Sequence, residues 1–282
     1  MTIKFGYASD LHLEFLDYPN FSDDPGGDVL LLAGDILTAW AIASHRTDQQ
    51  VRKLTKFLTQ KFKPDLLDKY KKVFMVMGNH EHYNSIFGNT KNNLEDSFNN
   101  LGLPITILDN DVLDLNGVHL IGATLWSDFE NGSPVSMYDC QRGMNDFRLI
   151  GSMDIKDMNY FNRYQSRIFT PENAYNEHIK SKQYIKLQLE RLKDEKVVIM
   201  THHGPTLKSL HPSHVGNGLD GAYASDLSEI ILDNPSIKVW VSGHTHNPLN
   251  DCVGSCRLLS NPLGYRGEYS YRQWTGIKHF EV

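Results

Sequence analysis

Seven side chains of metal-ligating type fall in five short tracts of this 282-residue chain. Asp10 and His12 lie in S-D-L-H, Asp35 follows Gly34, and Asn79 opens a G-N-H-E run. His202 stands in T-H-H, and His244 and His246 stand in G-H-T-H. Two divalent ions held roughly 3.5–4 Å apart need such a set. One carboxylate can bridge the ions, while imidazoles and a carboxamide oxygen fill the remaining positions with little added negative charge. Two such ions bring four positive charges; two aspartates and a shared hydroxide cancel three of them. The remainder attracts a phosphate group. Asp10 and His12 are separated by one residue, as are His244 and His246, so extended backbone would turn each pair to one side. Any one tract alone is weak, because a single histidine at a strand end is usually a hydrogen-bonded core or surface residue.

The tracts share a context. IKFGYA, DVLLLA, KVFMVM, KVVIM and IKVWVS each run directly into one of them. Short runs rich in Val, Ile, Leu and aromatics, flanked by glycine and polar residues, predict buried strands. In α/β sheets, ligands sit beyond the carboxyl ends of strands. Five strands are therefore expected to deliver these side chains to one edge of the fold. VHLIGATLW, from Val118 to Trp126, predicts a further strand that supplies no ligand.

Helices are expected between the strands. One carries Val51, Leu54 and Leu58. A second starts near Thr170, with Pro171 in its first turn, and continues through Ile185, Leu189 and Leu192. A third starts near Asp226, with Glu229 placed as in a capping box. Their apolar stripes are read as packing on the sheets. No domain boundary stands out, so residues 1–282 are read as one domain. Its least regular part, about 127–176, is read as an insertion over the site.

Composition narrows the function classes. The net charge is −6, which disfavours a broad phosphate-backbone binder. No run approaches the roughly 20 apolar residues of a membrane helix. The start, MTIKFGYASDLH, reads as a strand rather than a signal peptide, so a cytoplasmic location is expected. The three cysteines, Cys140, Cys252 and Cys256, are too few and too scattered for a disulfide framework. Cys252 and Cys256 lie at a zinc-like spacing, but no second pair follows; they are read as small apolar residues on a hairpin.

The ordered series D-x-H, G-D, G-N-H-E, T-H-H and G-H-T-H resembles the calcineurin-like metallophosphoesterase superfamily across nearly the whole chain. MNDFR (Met144–Arg148), AYASDL and SNPLGY (Ser260–Tyr265) resemble an uncharacterised bacterial and phage-type subgroup of it. The resemblance implies an α/β four-layer sandwich, two mixed β-sheets flanked by helices. It implies that Asp10, His12, Asp35 and His246 hold one ion. Asp35, Asn79, His202 and His244 hold the other, with Asp35 bridging. It favours His202 over His203, and it makes His80 a catalytic residue at the phosphoryl oxygen or leaving group. The expected cofactors are two divalent ions, with Mn, Fe or Zn first and Ni or Co possible. The expected chemistry is in-line attack by the shared hydroxide on a phosphomonoester or phosphodiester.

Around this centre, Asn145, Asp146, Arg148, His214, Tyr265 and Arg266 are candidates for substrate contact. His82, Tyr83 and His211 are candidates for the pocket wall. Glu81 is expected to orient its loop. The expected partner is a small-molecule or nucleotide-like phosphate ester, with no membrane and no strong nucleic-acid signal. A metal-dependent nuclease is the alternative; a non-catalytic scaffold of the same fold is the third reading, opposed by every expected position being filled.

Overall fold

The computed structural model describes residues 2–43, 46–152, 167–212 and 215–282. Its strands are β1 (Lys4–Ala8), β2 (Gly27–Ala33), β3 (Tyr70–Val76), β4 (Ile105–Leu108), β5 (Asp111–Asp114) and β6 (Val118–Ala123). They continue with β7 (Gly151–Ser152), β8 (Arg167–Ile168), β9 (Lys196–Thr201), β10 (Ile237–Ser242), β11 (Leu249–Val253), β12 (Cys256–Ser260) and β13 (Lys278–Glu281).

Two mixed sheets form the centre. One has the order β13-β1-β2-β3-β4, the other β11-β12-β10-β9-β6-β5. In the first, β1, β2, β3 and β4 are parallel, and β13 runs against β1. In the second, β6, β9, β10 and β12 are parallel, and β5 and β11 close the edges antiparallel. Successive side chains of a strand point to opposite faces, and both faces here are covered. Leu31, Ala33, Phe74 and Val76 pack inward against Val198, Met200, Val239 and Val241 of the other sheet. Leu30, Leu32, Val73 and Met75 point outward to Leu54, Leu58 and Phe98 of the flanking helices. Val197, Ile199 and Trp240 meet Ile185, Leu189 and Ile231 on the opposite outside. That double coverage explains why the strand runs are apolar throughout instead of alternating.

The expected helices form, with differences at their ends. The first spans Gln49–Phe57, capped by Asp48, which accepts from the Gln50 and Val51 amides at 3.0 and 3.2 Å. The second spans Pro171–Arg191, with a capping box between Thr170 and Asn173. The third starts at Ser228, not Asp226, and has no capping box: Asp226 accepts from the Ser228 amide at 3.0 Å. Likewise β6 stops at Ala123 rather than Trp126, because Leu125 and Trp126 take left-handed backbone (φ 72° and 54°). Cys252 is exposed and Cys256 buried on the β11–β12 hairpin.

Within 127–176, the described part is more regular than expected. It forms a helix over Pro134–Gly143, a short turn of helix over Asp146–Leu149 and the β7–β8 pair. Phe129, Phe147, Ile150 and Phe169 build a fourth apolar cluster with Tyr83 and Trp126. Among the described residues, no helix is long and apolar enough to cross a membrane.

Candidate metal centre

The five tracts that carry the candidate ligands leave the carboxyl ends of β1, β2, β3, β9 and β10 and meet where the two sheets abut. Three groups of donor atoms each lie within 4.8 Å of one another: Asp10, His12 and His246; His12, Asp35 and His80; Asp35, His202 and His244. Asp35 belongs to two of the groups. Asn79 joins the third, its Oδ1 lying 3.1 Å from His202 Nε2.

The chain bends sharply to achieve this. Asp10, His12, Asp35, His244 and His246 all take positive φ, between 45° and 68°. Non-glycine residues rarely adopt that region, and such backbone gathers at functional sites. Two glycines permit close approach. A Cβ on Gly34 (φ 82°) would meet His202 Nδ1 at 2.3 Å, and one on Gly78 would meet Asp35 Oδ1 at 2.2 Å.

Several of these candidate ligands are held from behind by the protein. His202 Nδ1 donates to the Ala33 carbonyl at 2.8 Å, spanning from one sheet to the other. His246 Nδ1 donates to Glu268 at 2.7 Å. The His244 amide donates to Asp10 Oδ1 at 2.9 Å. Asn79 Nδ2 donates to Asp146 Oδ1 at 2.8 Å, which turns the Asn79 oxygen inward. Partners of this kind fix ring orientation and tautomer in metal sites. Glu81 ties two loops together by accepting from the amides of Gly78, Asp35 and Ile36 at 2.6, 2.9 and 2.7 Å.

The donor set fits divalent ions. Asp10 Oδ2 and His244 Nε2 are buried without a hydrogen-bond partner among the described residues. His12 and His246 bring their Nε2 atoms to 3.1 Å. Burial opposes charge on His246, but hydrogen bonds to Asp10 and Glu268 outweigh it and push its pKa up to about 10. For His202, burial is outweighed by the Asp35 carboxylate, and the pKa rises to about 9. Carboxylates that hold a proton on an imidazole are also placed to favour a cation there, and metal and proton compete for the same nitrogen. Burial keeps His244 and His203 well below the usual histidine range, so both imidazoles are neutral.

His80 sits at the edge of this set with both nitrogens engaged. Nδ1 lies 3.0 Å from Glu14 Oε1 and Nε2 lies 2.9 Å from the Tyr265 hydroxyl. Its backbone amide donates to Asp35 Oδ1 at 2.9 Å. Burial opposes protonation, yet Asp35 and Glu14 together raise its pKa.

A cleft of about 250 Å³ opens over the centre. His80, His244 and His246 line it, as do Tyr83, Asn145, His211, Tyr223, Tyr265 and Glu268. Among the described residues, no Lys or Arg does. Four of the expected rim residues lie elsewhere or outside the described residues. Asp146 is buried against Asn79 and Tyr83, whose hydroxyl donates to it at 2.6 Å. Arg148 turns its guanidinium to the Arg142 carbonyl. Arg266 is exposed and is not part of the lining. His214 lies outside the described residues. His82 is a core residue, bonded to Thr90 and packed on Phe87 and Trp126. His203 also faces the interior, against Trp126.

Sequence reasoning missed Glu14 and Glu268. Glu14 follows His12 by two positions, which was a usable signal. Glu268 arrives from a distant loop and carried none.

A family model for calcineurin-like phosphoesterases matches residues 3–248, and the chain belongs to that family. It is thereby a metal-dependent phosphoester hydrolase. An uncharacterised protein of Acanthamoeba polyphaga mimivirus is 29% identical over 289 residues, covering 93% of this chain and 91% of the relative. The fold is similar to the phosphopantetheinyl hydrolase PptH of Mycobacterium tuberculosis (TM-score 0.59, 16% identity, 98% of this chain and 95% of that one). It is also similar to TT1561 of Thermus thermophilus (TM-score 0.51, 12% identity, 93% and 90% coverage).

Proposed function

We propose that this protein hydrolyses a small or nucleotide-like phosphate ester at a two-metal centre. Asp10, His12, Asp35 and His246 would hold one divalent ion, and Asp35, Asn79, His202 and His244 the other. The observation that carries the reading is Asp35, whose carboxylate belongs to donor groups on both sides of the centre. Bound there, the ions would supply activated water and neutralise charge on the phosphoryl oxygens.

The chain's own residues account for the rest. Among the described residues the cleft lining has no Lys or Arg, while Asp35 and Glu268 line it and Asp10 and Glu14 stand at its floor and edge. With no Lys or Arg among the described residues of the lining, bound cations would supply the fixed positive charge that a phosphate needs, so substrate binding is tied to metal loading. His80 faces the cleft with its Nε2, while Glu14 on Nδ1 keeps a proton on the ring. The imidazole is therefore placed to donate to a phosphoryl oxygen or to protonate the departing oxygen. The cleft volume suits a phosphate with a modest attached group.

The deciding experiment is a panel of nitrophenyl mono- and diesters, run with Mn, Fe, Zn, Co or Ni. Metal-dependent release of nitrophenol is expected, and its absence with every ion would sink the proposal.

A further inference from the structure

A second groove, of about 580 Å³, continues from the metal cleft on the far side of His80. The two share His80, Tyr83, Asn145 and Tyr265, so they form one path with His80 at its waist. Aromatic side chains line the groove. Phe15 is 59% exposed, Trp40 38% and Tyr265 38%. The Phe15 ring lies 5.8 Å from Tyr265 and 6.3 Å from His80. The carboxamides of Gln50, Asn84 and Asn145 also line the groove.

We infer that this groove binds the leaving group of the substrate, and that this group is a nucleoside. The inference rests on the phosphoesterase reading above, in which His80 faces the departing oxygen. A group leaving past His80 enters the groove that Phe15 lines. The exposed Phe15 ring favours a flat ring, because every base offers a π-face for stacking. Carboxamides favour a ring with donors and acceptors on its edge; an aliphatic chain would cover them without pairing them. Charge excludes an anionic tail. Glu14 borders the groove, and its one cation among the described residues, Arg46, is paired with Asp48 and laid over Trp40 at 5.0 Å.

Ligand-observed NMR with adenosine, guanosine, cytidine and uridine, and with D-ribose as the control, tests the groove without any catalysis. At least one nucleoside is expected to bind in preference to ribose. Phe15→Ala and Trp40→Ala should each weaken that binding by about tenfold. Both side chains are exposed, and thermal melts verify that the variants fold. No nucleoside binding, or binding unchanged in both variants, would overturn the inference. In parallel, turnover of nucleoside 5′-phosphates is compared with that of ribose 5-phosphate in Mn. The ratio should favour the nucleoside and fall in both variants; an equal ratio would also count against the groove. Loss of all hydrolysis with nucleoside binding intact and sensitive to Phe15 and Trp40 would defeat the phosphoesterase reading alone.

Discussion

Glu14 and His80 meet at 3.0 Å, carboxylate to Nδ1, at the edge of the metal cleft. The pair fixes which nitrogen of His80 faces the substrate. With Nδ1 committed to Glu14, Nε2 is left toward Tyr265 and the cleft. Glu14→Gln keeps the shape but weakens the pairing. It should lower kcat by about ten- to a hundredfold, less than loss of the imidazole itself. Metal content should not change. A variant with wild-type kcat would remove Glu14 from the mechanism.

His80→Ala should retain both ions, because its nitrogens are engaged by Glu14 and Tyr265. Turnover of an activated phosphodiester should fall by about 10²–10⁴. Elemental analysis beside kinetics separates the two effects. Loss of metal in step with activity would make His80 a ligand instead.

Asp35→Ala should empty both positions, since its carboxylate lies in donor groups with His12 and with His202 and His244. Elemental analysis after dialysis is the measurement. Full occupancy of either position would defeat the bridging role.

Asp146→Ala acts at one position only. It leaves the Asn79 amide and the Tyr83 hydroxyl without their shared acceptor. Affinity for the ion at Asn79 should drop about 10–100-fold, with the other ion unaffected. Competitive metal titration resolves the two sites, and equal weakening of both would contradict the assignment.

Glu81→Ala is a stability test. Four buried amides, of Gly78, Asp35, Ile36 and Leu37, lose their acceptor. Each unsatisfied group costs about 1–3 kcal/mol, so a loss of several kcal/mol is expected in urea denaturation. Unchanged stability would mean that solvent replaces the carboxylate.

The strands were legible because both faces of each are covered, which makes runs such as DVLLLA apolar from end to end. The positions of Asp10, Asp35, Asn79, His202 and His244 followed from their adjacency to those runs. The helix near Asp226 was misplaced because local spacing cannot tell an Asp–amide turn from a cap. The rim was the least legible part. Asp146 and Arg148 are two residues apart on one turn of helix, yet one is buried on Asn79 and the other reaches back to the Arg142 carbonyl. No pattern in MNDFR distinguishes an inward carboxylate from an outward guanidinium. Glu268 is 22 residues from His246, and only the folded chain brings them together.

Asp146 also joins two parts of the molecule usually considered apart. It holds a proposed metal ligand, and its neighbour Asn145 lines the cleft. An ester touching Asn145 and an ion held by Asn79 would therefore act on the same short backbone segment. Binding free energies coupled through one element are reciprocal. By whatever factor the ester changes the affinity for the ion at Asn79, that ion, once bound, would change the affinity for the ester in equal measure.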